Sequence, residues 1–162
     1  MHLVVYGNPA PQGSKKFMGR TATGRGIIVD SSANTKPWRA DVKEAAERYM
    51  ERYGVPTITG AVQVRMVFTF LRPKSVRPNK RPHPSVAPDL SKLARSTEDA
   101  LTAAGVWSDD CLVVEYTRLA KVYANEDREA LARSGCQILV VEAGSATPMP
   151  GWIGPVLEIE AA

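Results

Sequence analysis

The chain is poor in the residues that make disulfides and metal-binding imidazole clusters: it has two cysteines, Cys111 and Cys136, and two histidines, His2 and His83. Two cysteines form no disulfide framework, so a reduced, cytoplasmic protein is the default expectation. Histidines this far apart, without a CxxC pair, argue against a zinc site or a histidine-based nuclease. No apolar run approaches the ~20 residues that span a bilayer, so no membrane partner is expected. The opening MHLVVYGNPAPQGSKK has only Leu3–Tyr6 as an apolar stretch, with no Lys or Arg before it, and does not fit a signal peptide. Internal repeats are also absent.

Charge of one sign is missing from long segments. Between Met1 and Val29 there is no acid, while Lys15, Lys16, Arg20 and Arg25 are present. Acids are absent again from Arg52 to Pro88, where Arg65, Arg72, Lys74, Arg77, Lys80 and Arg81 accumulate. After Arg133 it is the basic residues that vanish, leaving Glu142, Glu158 and Glu160. Two separate cationic stretches suit a polyanionic partner, most simply nucleic acid. Solvated loops kept soluble by their charge are the plainer reading, and composition alone does not separate the two.

What is present suffices for one compact domain: 162 residues, 44% hydrophobic and 23% charged, is a globular composition. His2–Tyr6 reads as a short β-branched strand stopped by Gly7-Asn8-Pro9. Residues 8–26, rich in Gly, Lys, Arg and Pro, are expected as a long basic loop, with Gly26–Val29 a candidate second strand. Pro37 suits a first helical turn, and Trp38, Val42, Ala45, Tyr49 and Tyr53 recur at helical spacing up to Gly54. In residues 61–71, Val62, Val64, Met66, Phe68 and Phe70 alternate in period two, the pattern of a long half-buried strand. Five prolines between Pro73 and Pro88 then rule out regular structure, and long loops inside compact domains are usually functional or disordered. A second helix is expected from about Leu90 to Ala104, ended by Gly105. Strands are expected over Leu112–Tyr123 and Cys136–Glu142, with one or two helical turns between them capped by Asn125. The order implies an α+β domain, a small mixed sheet with two main helices packed on one face. It is expected to span residues 1–142, with 143–162 a docked or partly disordered C-terminal arm.

The chemistry concentrates in residues 88–115, PDLSKLARSTEDALTAAGVWSDDCLVVE. On a helical wheel Leu90, Leu93, Ala94, Thr97, Ala100, Leu101 and Ala104 share the face that would bury against a sheet. Ser91, Arg95, Glu98 and Thr102 form a second stripe, with Asp99 at its margin. Asp89 stands just before the helix, and the turn from Gly105 delivers Asp109-Asp110 to the start of a strand. Carboxylates are the preferred ligands of Mg²⁺ and Mn²⁺. A phosphodiester is itself anionic, so cations must stand beside the acids, and the preceding loop supplies them. Hydrolysis then needs a metal-activated water and stabilisation of the developing charge. The plainer reading makes Asp89 an N-cap, Glu98-Asp99 a solvated face and Asp109-Asp110 a turn.

Asp89-Leu90-Ser91-Lys92-Leu93, Asp99-Ala100-Leu101, Ala104-Gly105-Val106-Trp107 and Asp109-Asp110 before Val113-Val114 together resemble the signature of the RusA-type Holliday-junction resolvases. These are small endodeoxyribonucleases common in phages and prophages. The resemblance covers most of residues 1–142, with its specificity in 88–114. It implies a RusA-like fold and a homodimer that cuts symmetric strands of a four-way DNA junction with Mg²⁺ or Mn²⁺, in a bacterial or phage-infected cell. By position, Asp89 resembles the family's first metal-binding aspartate and Asp110 the last. Asp109 matches the acidic neighbour of Asp110, Asp99 the acid of Asp-Ala-Leu, and Arg95 the place of a catalytic lysine. Ser91 stands where the family has a second aspartate, and its hydroxyl can ligate a hard cation without adding charge. Glu98, two turns along the same stripe, is the candidate replacement carboxylate. Arginine stays protonated, so Arg95 suits phosphate or transition-state stabilisation rather than proton donation.

The candidate catalytic residues are therefore Asp89, Arg95 and Asp110. The candidate metal ligands are Asp89, Ser91, Glu98, Asp99, Asp109 and Asp110. The candidate DNA contacts are Lys15, Lys16, Arg72, Lys74, Arg77, Lys80, Arg81 and Lys92, with His83 a phosphate neighbour. Both cysteines are expected as small core residues. Trp107 is expected to anchor its turn, with base stacking the other possibility, and Trp152 is a candidate for packing against a second subunit. The competing reading is a non-catalytic DNA-binding module in which Ser91 marks a lost site. A weaker one is a nuclease of flaps or forks.

Overall fold

The computed structural model describes residues 1–13, 15–21, 23–30, 34–144 and 157–159. Along the chain run β1 (His2–Tyr6), β2 (Lys15–Arg20), β3 (Gly26–Asp30), α1 (Thr35–Tyr53), β4 (Val62–Phe70), α2 (Leu90–Ala103), β5 (Val113–Tyr123), β6 (Gly135–Glu142) and β7 (Leu157–Ile159). The main sheet has the order β5-β4-β6-β1-β7, and β2 pairs with β3 in a separate ribbon. β4 and β5 are parallel, β6 is antiparallel to both β4 and β1, and β7 runs parallel to β1. This is the expected α+β architecture with a mixed sheet.

The alternating residues of three strands build one side of the core. Leu3 and Val5 of β1, Val62, Val64, Met66 and Phe68 of β4, and Cys136, Ile138 and Val140 of β6 join a single cluster with both helices. α1 contributes Trp38, Val42, Ala45 and Tyr49, all at most 2% exposed. Tyr53, expected on that stripe, is exposed at the helix end and lies against Tyr49, ring centroids 4.6 Å apart. α2 buries Leu93, Ala94, Ser96, Thr97, Ala100 and Leu101. Trp38 ties the layers together: its ring lies 6.5 Å from Phe68, and its Nε1 donates to Thr97 Oγ1 at 3.1 Å. Thr97 Oγ1 in turn donates to Leu93 O at 3.0 Å, so no polar group of this contact is left unsatisfied.

Three sequence expectations change. Residues 15–20 form a strand of the β2–β3 ribbon rather than loop; their KKFMGR has no apolar alternation to announce it. No helical turn spans 124–134: Asn125 adopts φ 60° instead of capping a helix, because the acids that follow are drawn into ion pairs with the sheet. Arg118 meets Asp127 at 2.6 Å and also Glu129, and Arg65 meets Glu129 at 2.8 Å. Leu131 N donates to Thr69 Oγ1 at 3.0 Å, fastening the segment over β4. Side-chain partners of this kind outcompete a marginal helix. Finally, Cys136 is buried but Cys111 is exposed, since the 3-10 turn Asp110–Leu112 that carries it buries no residue. Of the expected C-terminal arm, Leu157–Ile159 joins the sheet edge beside β1, while Trp152 lies outside the described residues.

Gly135 marks a close approach between β1 and β6. A Cβ there would stand 2.4 Å from the Val5 carbonyl oxygen, closer than any side chain tolerates. Within the described residues, no helix is long and apolar enough to cross a membrane.

Candidate active site and nucleic-acid interface

Parallel neighbours such as β4 and β5 need a crossover, and here the crossover is the proline-rich segment 71–89 followed by α2. The segment therefore leaves the carboxyl end of β4, and α2 returns the chain to the start of β5. Asp89 enters the helix with extended backbone, φ −67° and ψ 136°, but its side chain makes no capping hydrogen bond. It pairs instead with Lys92 at 3.1 Å, and its charge is felt by Lys121 on β5. Lys121 Nζ donates to the carbonyls of Val86 and Pro88, each at 2.7 Å, which holds the loop end that presents Asp89. Burial lowers the pKa of Lys121, with Asp89 opposing.

A second acidic group forms further along α2. Tyr116 Oη donates to Glu98 Oε1. Burial is the main cause that raises the Glu98 carboxyl pKa; the charges of Asp110 and Asp99 add to it, while the Tyr116 hydrogen bond and Arg95 oppose it. Tyr116 is itself pushed up by burial, by its bond to Glu98 and by the nearby Asp110. Asp109 caps the 3-10 turn, accepting from Cys111 N at 2.8 Å, and these bonds hold its carboxyl below the usual range.

The two groups stand at different heights on the sheet. Lys121 pairs with Phe68 and Tyr116 with Val64; these partners are four residues apart on β4, and so about 13 Å along the strand. Asp89 and Glu98 are nine residues apart on α2, again about 13 Å by helical rise. Among the described residues no three His, Cys, Asp or Glu side chains are gathered to hold an ion. Ser91 and Arg95, both exposed, share the α2 stripe of Glu98, and Asp89 stands at the helix entry ahead of them. The candidate residues thus form a track with a carboxylate at each end and a guanidinium between them. Asp99 already has partners across the helix pair: Arg39 pairs with it, and Gln12 Nε2 donates to it at 3.1 Å.

The candidate DNA contacts divide. Lys74, Arg77 and Lys80 are exposed and Arg81 is partly so; Arg77, Lys80 and Arg81 line one hollow of about 490 Å³. Arg72 is committed elsewhere: its Nε donates to Glu126 Oε1 at 2.6 Å, its Nη1 donates to Arg81 O at 2.6 Å, and its guanidinium lies 3.8 Å over the Tyr123 ring. Lys15 and Lys16 lie on β2, opposite Asp30 and Val29. His83 is exposed on the loop. Trp107 is 1% exposed and its Nε1 donates to Thr102 Oγ1 at 2.7 Å, so it anchors the turn. Sequence reasoning missed Tyr116 and Lys121. Their only signal was the alternation of β5, which names a face but not the helix that covers it.

The chain belongs to the endodeoxyribonuclease RusA family, which matches residues 7–130. It is thus a DNA-cleaving hydrolase of the crossover-junction resolvase class. No individual curated protein matches it.

Proposed function

We propose that this protein resolves Holliday junctions or related branched DNA by divalent-metal-dependent phosphodiester hydrolysis, acting as a homodimer with two sites in the cytoplasm. The family membership supports the substrate class. The observation that carries the metal reading is the half-buried Glu98 carboxylate beside Asp110, a local excess of negative charge opposed by Arg95. That donor chemistry fits Mg²⁺ or Mn²⁺, which needs only one or two carboxylates beside water and substrate phosphate. Asp110 and Glu98 would hold the ion, with Ser91 further along the same stripe and Asp89 at the entry of the helix. When bound, the ion would activate water and neutralise charge on the phosphate.

The chain's own groups have distinct tasks. Arg95 clamps a phosphate oxygen between the two acidic ends. Asp89, held near Lys121, orients the strand at the loop end. Tyr116 fixes the Glu98 carboxylate by its hydrogen bond, and Lys74, Arg77, Lys80 and Arg81 carry the flanking backbone. The test is a nicking assay on a synthetic four-way junction with Mg²⁺ or Mn²⁺, paired with binding in EDTA. Asp110→Asn should abolish cleavage while retaining binding; undiminished cleavage by that variant refutes the assignment. Wild-type binding without any metal-dependent nicking would favour the non-catalytic module.

A further inference from the structure

Beside the loop end that presents Asp89 lies a second hollow, of about 190 Å³ and quite unlike the cationic one. Phe70, Val86, Ala87, Pro88 and Tyr123 line it, with Arg81 and Lys121 as its charged members. It is smaller than the ~300–1,000 Å³ pockets of drug-sized ligands, so it suits a single planar ring system. Tyr123 is 3% exposed, and its hydroxyl is buried with no hydrogen-bond partner. The hollow therefore takes its wall from the body of Tyr123, an aromatic side chain on which a flat ring can rest.

The two hollows share Arg81. One is polar and cationic, the other mainly apolar. A nucleotide has the same two-part character: an anionic phosphate joined to a flat base with hydrogen-bonding edges. Pro88, in the apolar hollow, directly precedes Asp89. We infer that the apolar hollow receives one unstacked nucleobase of the branched DNA, at the Asp89 end of the track and a nucleotide or two from the Glu98 end. A branch point interrupts continuous stacking between the arms, which lowers the cost of extruding a base there. This inference rests on the proposed branched-DNA activity and adds a base-holding subsite to it.

The test is binding in EDTA, where no strand is cut, so its result does not depend on the metal assignment. A series of four-way junctions carries one abasic nucleotide at successive positions around the crossover. Each is titrated with wild type and with two hollow-filling variants, Ala87→Leu and Val86→Trp, both at exposed loop positions and checked for native folding by circular dichroism. One abasic position should weaken wild-type binding about 5- to 150-fold, the range for loss of one stacked base. The filled variants should bind the intact junction that much more weakly and be indifferent to that same position. The inference is overturned if wild type is indifferent to every abasic position, or if the filled variants keep the full abasic penalty. It is equally overturned if filling changes only the sedimentation coefficient, which would make the occupant a side chain of a second copy. Failure of Asp110→Asn to lose cleavage would sink the metal reading and leave this measurement standing.

Discussion

Segments 71–89 and 124–134 are both charged, irregular and attached to the ends of β4 and β5, yet they handle charge in opposite ways. In 124–134 the acids are matched to arginines of the sheet and loop: Asp127 and Glu129 to Arg118, Glu129 to Arg65, and Glu126 to Arg72. In 71–89 no ion pair among the described residues engages Lys74, Arg77, Lys80 or Arg81. Paired charges hold a segment down; a run of cations with no acid between Arg52 and Pro88 leaves a field for an external anion. Charge density alone does not distinguish structure from binding, whereas the sign of the neighbours does.

The largest effect that sharpens this contrast is catalytic. Asp110→Asn should lower metal-dependent junction cleavage at least about 100-fold, as removal of a group that positions a catalytic ion does, with junction affinity in EDTA little changed. Next comes the loop. Replacing Lys74, Arg77, Lys80 and Arg81 by Gln should flatten the slope of log affinity against log salt by about 3.6, since each phosphate contact contributes about 0.9. An unchanged slope means that the loop does not face DNA. The matching change on the other segment, Arg118→Ala, should leave the salt slope intact and cost about 1–3 kcal/mol of stability in urea unfolding, between the values for exposed and buried ion pairs.

The smallest effect is a pH dependence. The hydrogen bonds from Arg118 hold the Asp127 carboxyl below its usual value. Its folded pKa is therefore lower than its unfolded one, so the stabilisation is fully present above the ordinary carboxylate pKa and is lost as pH falls through the depressed value. Wild type should destabilise more steeply than Arg118→Ala in acid unfolding below about pH 4. Parallel curves would show that this pair does not hold the segment.

Much of the frame was legible because it repeats a period. Trp38, Val42, Ala45 and Tyr49 on α1, and Val62 to Phe68 on β4, face the core as their spacing demands. The β2 strand was not legible, having no alternation to read, and the helical turns expected after Asn125 lost to ion pairs with residues distant in sequence. Of the candidate site, the helix with Asp89, Arg95 and Glu98 on or beside one stripe was readable from spacing, and so was the loop's excess of cations. That Asp99 is occupied by Arg39 and Gln12, and Arg72 by Glu126 and Tyr123, was not.

The amino-acid order by itself determined which segments are helix or core strand, where cations accumulate and which family the residues from Asp89 to Asp110 resemble, because these are properties of neighbours along the chain. Only the tertiary structure decided which charges neutralise one another, that Tyr116 and Lys121 join the acids, and that an apolar hollow opens beside Asp89. Those outcomes depend on contacts between residues tens of positions apart, and a charged side chain carries no local mark of the partner it will meet.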